Sequence, residues 1–170
     1  MAGGWSDAAV SQKFRKVDPR AWTDEKFRVL DSNGKLLALW MLTGSRVNRC
    51  GIVLWSPGLA SEETGIALNS IDSVCDTVCD TLSWVRHIPS HTVFLRRWWR
   101  YNRPDNVKAL IGFLSDLHDV PTNGLREALI EAAQDLPATF HTVYLKALGV
   151  GDTVSDTVSP QEKEKEKKKE

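Results

Sequence analysis

The chain has 170 residues, 42% hydrophobic and 26% charged, enough for one domain of ordinary size with a real core and unlike a disordered or membrane composition. Its 22 Lys and Arg balance 22 Asp and Glu, so the formal net charge is zero and any polyanion must be met by a local patch. There is no apolar run of roughly eighteen residues and no secretory signal pattern, and three cysteines make no disulfide framework, so a cytoplasmic protein with no membrane partner is expected.

Residues 1–15 mix Gly, Ser, Ala and charge without a period and read as a flexible leader. Pro19 sets a turn and Trp22 offers a large anchor. Thr23 reads as an N-cap, with Asp24 and Glu25 complementing the dipole of a short helix. A second helix, capped by Ser32, carries Leu36, Leu37, Leu39, Trp40 and Leu42, apolar on nearly every side, and is the expected buried helix. Gly51-Ile52-Val53-Leu54-Trp55 then reads as a short strand.

Ser56-Pro57 opens a helix that Gly65 breaks, and the next, from about Leu68 to Leu82, places Ile71, Val74, Cys75, Val78 and Leu82 on one face. Helix, glycine turn and helix make a helix-turn-helix outline. Trp84 to Ile88, a Pro89-Ser90 turn and His91 to Tyr101 read as a hairpin. Three helices, one strand and a hairpin in that order describe a winged helix over residues 16–103.

Pro104 opens a helix with Val107, Leu110, Ile111, Leu114 and Leu117 at helical spacing, followed by helices at Asn123 to Leu136 and Ala138 to Leu148. The expected fold class is therefore mainly α with a small β-hairpin: a winged helix-turn-helix followed by a C-terminal helical appendage, residues 104–149. Residues 150–170, with a repeated Asp-Thr-Val-Ser and an alternating Glu/Lys run, read as a disordered low-complexity tail.

If Val93 to Tyr101 is extended, Phe94, Arg96, Trp98 and Arg100 share one side, alternating ring and cation. Guanidinium groups clamp phosphates and indoles stack or wedge, which suits nucleic acid. The alternative is a strand whose rings pack inward while the arginine stems reach to water. The candidate DNA-binding residues are Arg86, Arg96, Arg97, Trp98 and Arg100 on the hairpin, Arg103 just beyond, and Lys16 and Arg20 near the start. Asn69 and Ser73 on the second helix of the helix-turn-helix could reach base edges, yet Asp72, Asp76 and Asp80 form an i, i+4 row there that repels phosphate.

No phosphate loop, nucleophile elbow or metalloprotease motif is present, so binding without catalysis and without a cofactor is expected. Cys75, Cys79, His87 and His91 have a Cys-x3-Cys-x7-His-x3-His spacing. Both cysteines face the core of one helix and the gap is short for a zinc finger, so buried thiols and no metal are expected.

Lys16-Val17-Asp18-Pro19-Arg20-Ala21-Trp22-Thr23-Asp24-Glu25-Lys26-Phe27, then Leu42-Thr43 with Asn48-Arg49-Cys50-Gly51-Ile52, and Trp98-Trp99-Arg100-Tyr101-Asn102-Arg103-Pro104-Asp105-Asn106 resemble phage and prophage replisome-organiser proteins of the DnaD-like replication-initiator type. The similarity spans about residues 16–120. It implies an N-terminal winged helix, a role in starting DNA replication, and DNA as partner, with a replicative helicase or its loader as a further partner; a homo-oligomer is expected only if the chain docks on a second copy of itself. In this reading Arg96, Arg97 and Arg100 hold phosphates, Trp98 meets a groove or an unpaired base, and Lys16 and Arg20 assist. Trp22, Trp40, Trp55 and Trp99 are assigned to the core. The alternatives are an interaction module docking through its acidic helix and a winged-helix transcriptional regulator.

Overall fold

The computed structural model describes residues 17–150. The expected leader with Lys16, and the tail beyond 150, lie outside the described residues.

Carboxylates organise the first third. Asp18 accepts from the Arg20 backbone N–H at 2.9 Å and starts a 3-10 turn, Pro19–Thr23. Asp24 caps α1 (Glu25–Val29) by accepting from the N–H groups of Lys26 and Phe27, and Asp31 caps α2 (Ser32–Thr43) by accepting from Gly34 N–H at 2.7 Å. Thr23 and Ser32, the expected caps, each lie one residue from the true one; an ionised oxygen is the stronger acceptor for orphaned helix N–H groups. Leu37, Ala38 and Met41 of α2 are buried, while Leu36 is exposed and Leu39, Trp40 and Leu42 are half-buried, so α2 is less enclosed than its composition suggests.

Next come β1 (Ile52–Leu54) and α3 (Pro57–Thr64), which Pro57 opens and Gly65 ends at a left-handed φ of 74°. α4 (Leu68–Leu82) follows, burying Ile71, Cys75, Val78 and Cys79. β2 (Val85–His87) and β3 (Thr92–Phe94) complete a three-stranded antiparallel sheet of order β1-β3-β2, with Val93 opposite both Val53 and Arg86. The central strand β3 is wholly buried.

β3 stops at Phe94, which corrects the extended reading of Val93 to Tyr101. Leu95 N–H donates to Gly51 O at 2.9 Å, Arg97 takes a φ of 63°, and Trp98 N–H donates back to Leu95 O at 3.1 Å, starting α5 (Trp98–Asn102). The reason lies in the paired tryptophans. A strand sends neighbours to opposite faces, whereas a helical turn rotates them by about 100° and lets one short element bury both. Trp98 packs over Gly51, and Trp99 meets Tyr144 edge-on with ring centroids 5.8 Å apart.

The remaining helices are α6 (Val107–Leu114), extended by a 3-10 turn at Ser115–Leu117, α7 (Arg126–Glu131) and α8 (Ala138–Ala147). The single helix expected from Asn123 to Leu136 is instead α7 flanked by 3-10 turns at Asn123–Leu125 and Ala132–Asp135. Leu110, Leu125, Leu129 and Tyr144 belong to the same hydrophobic cluster as Leu37, Ile52, Ile71 and Phe94, so the core continues past residue 104. Trp55 and Trp99 are buried as expected, but Trp22 is 58% exposed and lies edge-on to Phe27, and Trp40 is half-buried. No described helix is long and apolar enough to cross a membrane.

Candidate nucleic-acid interface

The junction between the sheet and the C-terminal helices fixes where the arginines can point. In the loop before β1, Asn48 Oδ1 accepts from the N–H groups of Cys50 and Ile52 at 3.0 and 2.9 Å, folding Asn48-Arg49-Cys50-Gly51 into a tight turn. Arg49 reaches across to Asp116 through Nε at 3.0 Å and Nη2 at 2.5 Å, its backbone N–H also donates to Asp116, and its guanidinium lies 5.3 Å from the Phe113 ring centroid. The Cys50 thiol donates to Phe113 O at 3.2 Å, and the Trp98 indole N–H donates to Arg49 O at 2.9 Å. These contacts join the sheet to the C-terminal helices.

Trp98 is therefore no groove contact. It is 3% exposed and its N–H is satisfied internally, which corrects its place among the DNA-binding candidates. Arg86 is also spent inside the molecule. Its guanidinium bridges Asp72 and Asp76 of α4, bonding Asp76 at 2.6 Å, and sits 5.4 Å from the Trp55 ring centroid, with the side chain only 11% exposed. The Trp55 indole N–H donates to the same Asp72 at 3.0 Å. Two of the three acids in the row on α4 are thus part of a lock between that helix and β2.

Arg20 is exposed and holds Asp18 through Nη2 at 2.6 Å, and this guanidinium draws the Asp18 carboxyl down to about 2. Asn69 and Ser73 are exposed on α4, with Ser73 Oγ donating to Ser70 O at 2.8 Å. Among the described residues, neither is hydrogen-bonded to Arg96 or Arg97.

Arg96, Arg97, Arg100 and Arg103 are all exposed along the loop and α5. Arg96 Nη2 lies 3.1 Å from Glu131 and Arg100 Nη2 lies 3.5 Å from Asp135, whereas Arg97 and Arg103 form no ion pair among the described residues. A cleft of about 610 Å³ opens beside this edge, with Arg96, Arg97, Tyr101, Lys26, Glu131 and Asp135 among its lining. Tyr101 is 47% exposed there, one ring of the Trp-Trp-Arg-Tyr run that does face solvent.

Glu131 and Asp135 were not legible as partners of this edge. They stand 35 residues from Arg96 and Arg100, and the only signal is their matching four-residue spacing. Cys75 and Cys79 are buried in α4, while His87 Nδ1 lies 2.6 Å from Ser90 Oγ, and no group of three potential metal ligands occurs among the described residues. Burial pushes the Cys50 thiol up to about 12, and a hydrogen bond with Cys79 together with burial also raises Cys75, so neither is poised as a nucleophile. Comparison of the chain with family models, curated proteins and solved structures finds no match.

Proposed function

We propose that the chain is a winged-helix DNA-binding protein of the phage-type replication-initiation class, and that it holds DNA on the Arg96–Arg103 edge rather than with its helix-turn-helix. The order α2, β1, α3, α4, β2, β3, with β3 central, supports the winged-helix reading. The resemblance of residues 16–120 to replisome organisers supports the process.

One observation carries the DNA contact: four exposed guanidiniums within eight residues, two in no ion pair among the described residues, one in a solvent-exposed pair with Glu131 and one paired with the largely enclosed Asp135. An exposed pair such as Arg96–Glu131 is worth roughly 0–1 kcal/mol, so exchanging its carboxylate for a phosphate costs little, and the Arg100 guanidinium, itself 53% exposed, can reach a phosphate beside Asp135. Arg86, enclosed between two carboxylates, is not recruitable in this way.

Fluorescence anisotropy with a labelled duplex tests the assignment. Arg97→Ala/Arg103→Ala is expected to weaken binding roughly tenfold at moderate salt, consistent with two lost phosphate contacts. Unchanged affinity would remove this edge from the reading.

A second reading is favoured by α4. Asp80 is exposed and Asp72 and Asp76 share one guanidinium, so the face retains negative charge and suits a protein partner with a basic surface, such as a helicase loader. If Asp76→Asn/Asp80→Asn leaves DNA binding intact and abolishes co-elution with the loader, α4 is that docking face.

A further inference from the structure

We propose that Glu131 and Asp135 are a built-in brake on DNA binding: a charge-matched cover that occupies Arg96 and Arg100 when no polyanion is present. This rests on the Arg96–Arg103 edge being the DNA contact. Arg96 and Arg100 are four residues apart on the loop and α5, and Glu131 and Asp135 are four residues apart at the ends of α7 and the 3-10 turn after it. The two pairs engage in register, Arg96 with Glu131 at 3.1 Å and Arg100 with Asp135 at 3.5 Å.

The backbone of the cover is fixed and Asp135 with it, whereas the Glu131 side chain, 57% exposed, is as free as the arginine it meets. α5 is held by Trp99 against Tyr144, whose hydroxyl donates to Leu129 O on α7 at 2.9 Å, so α5, α7 and α8 share one buried contact. Ala128, Leu129, Ala132 and Ala133 anchor the backbone that bears the two acids. Asp135 has a side chain only 12% exposed and cannot swing far, whereas the Arg96 and Arg100 side chains are 42% and 53% exposed on long stems. When phosphate draws the guanidiniums away, Asp135 stays in place and Glu131 stays tethered to the anchored α7 backbone beside the edge. Binding then loses two ion pairs and gains two like-charge neighbours, both of which lower affinity.

The brake is selective by position. Glu127, also on α7, and Glu62 on α3 are exposed and pair with no arginine among the described residues, so removing their charge alters the net charge equally without freeing the edge. Arg86 has a pair of carboxylates too, but its enclosure makes that contact a structural lock.

The test is anisotropy with a labelled mixed-sequence duplex at fixed salt, comparing the unmodified chain, Glu131→Gln/Asp135→Asn, and the charge-matched Glu62→Gln/Glu127→Gln. Glu131→Gln/Asp135→Asn is expected to bind roughly fivefold tighter than the charge-matched double, on the order of one exposed pair and one half-enclosed pair together. Equal tightening by both doubles would reduce the effect to net charge and overturn the brake. Binding by the unmodified chain with no gain in Glu131→Gln/Asp135→Asn would overturn the brake and leave the DNA reading standing. No binding by any of the three at low salt would overturn both. Should Asp135→Asn disturb folding, seen as a lowered melting temperature by circular dichroism, Glu131→Gln alone is expected to tighten binding roughly twofold, and no gain would count against the brake.

Discussion

Gly51 shows how tightly single residues determine the junction. Its φ is 80°, and a Cβ there would lie 2.4 Å from Trp98 Cγ, so Gly51→Ala combines backbone strain with a clash against a ring that has no room to retreat. A loss of about 2–4 kcal/mol is expected, read as a lower urea midpoint at unchanged slope. The buried acids set a second residue-scale prediction. Cys50 ionises at its ordinary 9.0 when unfolded and at about 12 when folded, so between those values the unfolded chain gives up a proton that the folded chain keeps. Stability then falls as pH rises through that window. Cys75, raised by its bond to Cys79 and by burial, and Tyr144, raised by burial, act in the same direction. The melting temperature should hold below about pH 9 and drop above it, and a flat profile to pH 11 would contradict this account.

Among the elements, α5 links the sheet to the C-terminal helices. Trp99→Ala removes a fully buried ring from the contact with Tyr144 and is expected to cost about 3–5 kcal/mol in denaturant unfolding. Arg86→Ala, by contrast, should cost only about 1–2 kcal/mol, since its carboxylate partners are more than half exposed, and should leave DNA affinity unchanged. Comparing the affinity of Arg86→Ala with that of Arg97→Ala in one titration separates the lock from the edge. α3 and α4 were legible in the sequence because Pro57 and Gly65 punctuate them and the buried positions of α4 repeat at helical spacing. α5 was not, because arginine and tryptophan in a row fit a strand locally. Only tertiary burial of both Trp98 and Trp99 decides for a helical turn. The break in the helix expected at Asn123 to Leu136 was equally hidden, with no proline or internal glycine to mark it between Leu125 and Leu136.

Across the described residues, charge is nearly balanced, and about a third of the cations sit in ion pairs. Residues 17–150 carry 14 Lys and Arg against 15 Asp and Glu, a net of −1, and Arg20, Arg49, Arg86, Arg96 and Arg100 each meet a carboxylate. The candidate site was half legible from sequence: the arginine cluster is present and exposed, but Trp98 and Arg86 belong to the interior and the two acids over the edge come from a distant segment. A body of this charge binds DNA only if a few contacts at one edge outweigh weak general repulsion. The salt dependence of duplex binding, measured for the unmodified chain, for Arg97→Ala/Arg103→Ala and for Arg86→Ala, decides whether this edge makes those contacts. In a plot of log affinity against log salt, the slope should become shallower by about 1.8 in the double variant, roughly 0.9 for each lost phosphate contact, while Arg86→Ala keeps the full slope. Identical slopes for all three proteins would contradict that assignment.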